Sequence, residues 1–305
     1  MASLIDIRRR IRSIKSSQQI TKAMKMISAA RLRRAQDRAV AARPYARVLR
    51  EVMASVSSRV ESLEHPLLAE REEKRVAILV VAGDRGLAGA FNTNVNRAVA
   101  SLLAGKSWES VTVLPIGKKA LDYWRRRKTP LAEKTYSGIF SKIDYGIAKE
   151  IADALAVEFE QGRLDAVYVV FNEFKSVISQ IVRVEKLLPI SRGAAGMAPA
   201  PAAPAVTAKA DQAATAAAIV EPIFEPDPAT ILARILPRYL EFAIFRILLE
   251  SAAAEHAARM TAMDSASKNA GDLIDSLTLT YNRARQARIT KELIEIVSGA
   301  SAQGR

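Results

Sequence analysis

Apolar residues recur at heptad spacing at both ends of the chain. From the amino terminus the pattern runs Leu4, Ile7, Ile11 and Ile14, then resumes in the same phase at Leu32, Ala35, Ala39, Ala42, Ala46, Leu49, Met53, Val56 and Val60. Alternating steps of three and four keep these positions on one helical face, the spacing of a coiled-coil seam. Between the two blocks the same register carries Gln18, Thr21, Lys25 and Ser28, while Ile20, Met24 and Ile27 lie to one side. The apolar face is therefore expected to rotate there. A helix over residues 3–60 would be roughly 85 Å long, far more than a globular core requires. Pro44 inside it is expected to bend it locally.

The carboxyl-terminal end mirrors this. Asp227-Pro228 combines an N-capping carboxylate with a proline suited to a first helical turn. A second seam is expected through Phe242, Phe245, Leu249, Ala252, Met263, Ala266, Ala270, Leu273, Leu277, Ala284, Ala287 and Ile294, with polar His256, Arg259, Thr280 and Lys291 at skipped positions. Alanine-rich seams permit close helix approach, near the low end of about 8–10 Å. The two helices bracket an insert, so they should pair antiparallel. Pro237 is expected either to kink the second helix or to mark its true start.

The middle of the chain changes period. Arg75–Ala82 reads as a buried strand followed by a glycine-rich turn, and further strands are expected at Val111–Ile116, Ala166–Asn172 and Val177–Val184. Helical stretches near 90–104, 118–127 and 144–161 alternate with the earlier strands, which predicts an open, largely parallel sheet. The last two strands, joined by Glu173-Phe174-Lys175-Ser176, should form an antiparallel hairpin at one edge. The fold class is thus α/β: a long antiparallel coiled coil of terminal helices, 1–60 and 227–305, around a Rossmann-like open-sheet domain, 61–192. Residues 193–221 hold 14 alanines and 3 prolines in 29 positions, so 193–226 is expected to be a low-complexity loop.

Charge sharpens the picture of one end. The 305 residues carry a formal net charge of +14. Residues 1–50 alone hold fourteen basic residues against two acidic ones, a surplus of twelve, so the remainder is nearly neutral. One cationic helical arm needs an acidic partner, and both an acidic protein surface and nucleic acid fit that requirement; a solvated face is the plain alternative. A transit peptide at the start is the weaker reading, because the basic pattern continues to residue 50 and includes Asp6.

Candidate chemistry is sparse. With no cysteine and two histidines, disulfides, thiol nucleophiles, iron–sulfur clusters and a histidine-based metal site are not expected. The turn Gly83-Asp84-Arg85-Gly86-Leu87-Ala88-Gly89 follows a strand, but its G-x-x-G-x-x-G spacing is neither a dinucleotide fingerprint nor a Walker loop. Tight packing of the turn is the favoured reading over phosphate binding. Met24 and Met26 are either core fillers or part of an intermolecular contact.

Several motifs together resemble one family. ITKAMKMISAARLRRAQ (20–36), ARPYA (42–46), DRGLAGAFN (84–92), FEPDP (224–228) and the long ARMTAMDSASKNAGDLIDSLTLTYNRARQARITKELIEIVSGA stretch (258–300) are similar to the gamma subunit of F-type ATP synthases over nearly the whole chain. The resemblance implies a central rotor shaft inside a hexameric ring of alpha and beta subunits, with the epsilon subunit and the membrane c-subunit ring as further partners. It implies that Met24 and its neighbours face an acidic loop of beta. By motif, Arg259, Arg285, Gln286, Thr290 and Glu292 should contact alpha and beta loops. It further implies no cofactor, no metal, no nucleic-acid partner and no catalysis by the chain itself, and a peripheral position on the cytoplasmic side of a bacterial inner membrane.

Overall fold

The computed structural model describes residues 4–57, 65–190 and 227–303. The segment expected to be an Ala/Pro-rich loop, 193–226, lies outside the described residues, as does Val60 of the first seam. Two long helices, α1 (Leu4–Ser57) and α5 (Pro228–Gln303), flank the other elements. Contacts divide the chain into one unit of Met1–Ala29 with Arg259–Arg305 and a second of Ala30–Ala258.

In the first unit the segments of α1 and α5 are antiparallel. Gln18 Nε2 donates to the Ser267 carbonyl at 3.2 Å, the Thr21 and Ser267 hydroxyls lie 2.7 Å apart, and Lys25 Nζ reaches Asp264 Oδ1 at 2.6 Å. Rising numbers on one helix thus meet falling numbers on the other. The seam of α1 does not rotate: Ile7 is buried, Gln18, Thr21 and Lys25 are half-buried and Ser28 is buried in one unbroken heptad phase, whereas Ile20 and Ile27 are 57% and 54% exposed. Polar residues hold the interior phase because each finds a hydrogen-bonding partner, Ser28 through its own helix at the Met24 carbonyl.

The seam of α5 also differs from expectation. Met263, Ser267, Ala270, Ile274, Leu277, Tyr281 and Ala284, in steps of four and three, are all buried or half-buried. Ala266 is half-buried, but Leu273 and Ile294 are 54% and 60% exposed and Ala287 is exposed, while Ile274 is 9% exposed. Leucine and isoleucine stand side by side at 273 and 274, so apolar pattern alone leaves the phase open. The bonds from Gln18 and Thr21 to Ser267 select it.

The second unit contains a four-stranded sheet in the order β2-β1-β3-β4, formed by β1 (Arg75–Val81), β2 (Ser110–Ile116), β3 (Ala166–Phe174) and β4 (Gln180–Leu188). The pairs β1·β2 and β1·β3 are parallel and β3·β4 is antiparallel, so the hairpin does lie at an edge. Strand β4 begins three residues later than expected. Ser176 N–H donates to the Ser179 carbonyl at 3.0 Å and Ser179 N–H to Ser176 Oγ at 3.1 Å, which places Val177 and Ile178 in the turn.

The two faces of β1 sort its residues by parity, as a pleated strand must. Val76, Ile78 and Val80 pack with Val95 and Val99 of α2 (Phe91–Gly105) and with Ala120 and Trp124 of α3 (Lys118–Arg126). Ala77, Leu79 and Val81 share the opposite core with Ile151, Leu155 and Phe159 of α4 (Tyr145–Glu160), Met53 and Val56 of α1, and Leu236, Leu240, Ile244 and Leu248 of α5. Each such leucine or isoleucine contributes about 1.5–3 kcal/mol on burial. This packing carries α5 through Pro237. The helix starts at Pro228, where Asp227 Oδ1 accepts the Thr230 N–H at 2.8 Å.

Candidate functional site

The glycine-rich turn after β1 uses its own anion. Asp84 Oδ1 accepts N–H bonds from Lys118 at the start of α3 (2.9 Å) and from Gly138 (2.8 Å), and Oδ2 accepts from Phe140 (3.2 Å). Gly83 N–H donates to Asn92 Oδ1 at 2.8 Å. A Cβ on Gly83 would lie 2.8 Å from the Glu255 carboxyl carbon, so glycine permits α5 to pass close to the turn. Asp84 thereby ties the turn to the start of α3 and to the 138–140 segment, and the Gly83 N–H is taken by Asn92.

The exposed surface of α1 is the more informative feature. Ile20, Met24 and Ile27, at i, i+4 and i+7, share one face, and this face flanks the seam on its exposed side. Ile20 is 57%, Ile27 54% and neighbouring Met26 70% exposed, with Met24 half-buried. Cationic Lys22 and Arg31 are exposed beside them. The amphipathicity of this stretch is inverted: polar groups face the partner helix and apolar groups face outward. An outward apolar cluster of this kind marks an intermolecular contact, which favours the contact reading of Met24 and Met26 over the core-filler one.

Below the apolar patch the polar seam is electrostatically tied. Lys25 and Lys268 both reach Asp264, at 2.6 and 3.2 Å, and their hydrogen bonds hold its carboxyl below the usual aspartate range. Lys25 is thereby committed to the seam.

The last part of α5 is exposed throughout from Arg285 to Ser298. Arg285, Gln286, Thr290 and Glu292 all lie in this stretch, Glu292 accepting from Arg288 Nε at 2.8 Å. Sequence reasoning missed the apolar residues interspersed with them: Ile289, Leu293, Ile296 and Val297 are 49%, 56%, 67% and 63% exposed. The signal was present in the continuing apolar periodicity past residue 287, where the heptad seam placed only Ile294. Arg259 differs from the other carried-over positions, being 7% exposed and so enclosed within the chain. Among the described residues no group of histidine, aspartate and glutamate could hold a metal ion, and no helix is long and apolar enough to cross a membrane.

Comparison with known proteins gives a consistent answer. The model of a family described as ATP synthase matches residues 3–303. The ATP synthase gamma chain of Solibacter usitatus is 50% identical over 306 aligned positions, and that of Pelotomaculum thermopropionicum 47% over 302, each covering 99% of both chains. A chain from the Euglena gracilis mitochondrial ATP synthase, in a structure of OSCP, F1 and c-ring in rotational state 3, superposes with a TM-score of 0.65 at 20% identity, over 98% of this chain and 94% of that one. A central stalk and c-ring structure from Tetrahymena thermophila gives 0.58 at 22% identity, over 81% and 99%. The structural likenesses speak for the fold. With the family model and the curated relatives spanning almost its entire length, the chain belongs to the ATP synthase gamma-chain family.

Proposed function

We propose that this chain is the central rotor shaft of ATP synthase, turning with the c ring and imposing different nucleotide affinities on the catalytic beta subunits. The inverted amphipathicity of α1 around Met24 is the observation that carries the reading. A helix whose polar face is satisfied inside the pair and whose apolar, cation-flanked face points outward is built to be enclosed by other subunits. Coupling requires rotor orientation to change the free energies of the sites unequally, because equal contact with every state shifts no equilibrium. Localised contacts on an asymmetric helix pair meet that requirement.

In this reading Met24 with Ile20 and Ile27 meets an acidic loop of beta, and Arg285, Gln286, Thr290 and Glu292 contact alpha and beta around the exposed end of α5. Arg259 is carried over as a further contact to alpha and beta loops, made through the 7% of its surface that is exposed. The functional division is two shaft helices, 1–60 and 227–305, an α/β domain, 61–192, joined to epsilon and the c ring, and a connecting segment, 193–226. The chain catalyses nothing itself and works at the cytoplasmic face of a bacterial inner membrane. A basic coiled coil binding nucleic acid would explain the charge of the arm but not its outward apolar face.

This chain contributes no cysteine of its own to compete with an engineered one. A cysteine at Ile27, oxidatively joined to one engineered on the beta loop in the purified complex, is expected to abolish ATP turnover until the bond is reduced. Undiminished turnover with the cross-link formed would refute a rotating shaft.

A further inference from the structure

The second unit has a cavity of about 500 Å³ lined by Tyr45 of α1, Tyr145 and Lys149 of α4, and Arg238, Glu241 and Phe242 of α5. The rings of Tyr45 and Phe242 form one wall, with centroids 4.9 Å apart and planes tilted by 53°. Glu241 is the buried polar group, and its carboxylate is fully engaged: Tyr145 hydroxyl donates to Oε2 at 2.7 Å and Lys149 Nζ to Oε1 at 3.2 Å. Lys149 is also shared with Asp153 at 3.5 Å. Arg238, by contrast, is exposed and has no ion pair among the described residues, and the Tyr45 hydroxyl has no hydrogen bond there. A free planar fork and a free phenol thus stand beside an aromatic wall.

We propose that this cavity receives the carboxylate of an acidic residue on a loop of a subunit other than alpha and beta, paired with Arg238 and the Tyr45 hydroxyl while its apolar stem lies on the Tyr45 and Phe242 rings. The proposal rests on the chain working inside the ATP synthase assembly. Charge decides the ligand class. Lys149 is spent on Glu241 and Asp153, so Arg238 alone remains to be neutralised. A carboxylate supplies one negative charge in a planar geometry that matches the guanidinium, whereas a phosphate group would bring about −1.5 to −2 against the nearby Glu241. Exposure decides the source. Tyr45 is 47% exposed, and a free carboxylate held by one wet guanidinium gains about 0–1 kcal/mol, too little to bind alone. Within a larger protein interface, arginine and tyrosine are the residues that serve as anchors.

The test uses the purified complex, its subunit composition followed by native mass spectrometry as salt is raised. Arg238→Glu is expected to retain alpha and beta while one further subunit dissociates at lower salt than in the parent complex. Arg238→Lys, which keeps the charge without the fork, should fall between, and Tyr45→Phe should shift release in the same direction by less. Unchanged release in Arg238→Glu overturns the proposal. Loss of alpha and beta along with the rest also overturns it, because the residue would then act on the fold. Inorganic phosphate titrated calorimetrically should give no heat that Arg238→Ala removes; such a heat would assign the cavity to a free anion instead. A parent chain that does not purify with alpha and beta would refute the rotor reading itself, and this proposal with it.

Discussion

Glu73 shows how one side chain ties several elements together. Its carboxylate accepts from Lys186 of β4 (2.8 Å), Lys106 after α2 (3.2 Å) and the Tyr168 hydroxyl of β3 (2.7 Å). Burial pushes its pKa upward, but the hydrogen bonds from Lys186, Tyr168 and Lys106 outweigh that and bring it to about 2. A carboxyl whose folded pKa is depressed stabilises fully above its unfolded value and loses that contribution as pH falls through the folded one. The stability difference between the parent and Glu73→Gln, measured by urea unfolding, should therefore be constant near neutrality and shrink between about pH 4.5 and pH 2. A pH-independent difference would mean that Glu73 acts through packing alone. At Gly83 the relevant force is steric. An added Cβ would meet the buried Glu255 carboxyl carbon at 2.8 Å, and overpacking of this kind costs about 1–3 kcal/mol. Gly83→Ala should lower Tm, and Glu255→Ala in the same chain should recover part of the loss as a coupling energy in a double-mutant cycle.

The elements carry predictions that hinge on seam phase. Ile274 is 9% and Leu273 54% exposed, although a heptad count cannot distinguish them. Ile274→Ala should cost about 2–4 kcal/mol, as for other buried aliphatic truncations, and Leu273→Ala about 0.5 kcal/mol or less in the isolated chain. Equal losses would show that the helix pair has no fixed phase. The polar inlay of Gln18, Thr21 and Lys25 against Ser267 and Asp264 explains how such a fixed phase arises, since a polar group in a seam penalises every register that leaves it unpaired. Apolar residues alone mark a face turning aside at Ile20, Met24 and Ile27 and say nothing of what pairs the polar register. Hydrogen-bonding partners 246 residues away in sequence, as between Thr21 and Ser267, are invisible to a local pattern.

At the scale of the molecule, the predictions concern transmission rather than folding. Met24 is half-buried on the outward face, so Met24→Lys should leave the chain folded and assembled while adding a charge against the ring. ATP-driven proton pumping per ATP hydrolysed should fall more than hydrolysis does, and an unchanged ratio would remove Met24 from the coupling contact. Arg285→Ala and Gln286→Ala touch exposed positions; turnover of the complex should drop with the unfolding midpoint of the chain unaltered. Normal rates in both would show that the exposed end of α5 makes no working contact there.

The sequence by itself determined the elements and their order. Period 3.5 at the ends, β-branched runs such as Val76–Val81 in the middle, the capping Asp227 and the alternation of strands with helices are local properties, and local physics suffices to read them. It also determined the family, through motifs dense enough to be specific. Tertiary structure decided what each face is for. It assigned Gln18, Thr21 and Lys25 to the interior and Ile20, Met26 and Ile27 to the outside, enclosed Arg259, and tied the glycine-rich turn to α3 and the 138–140 segment through Asp84. Those outcomes depend on which distant groups can satisfy a hydrogen bond or a charge, and that is a property of the packed chain rather than of any window along it.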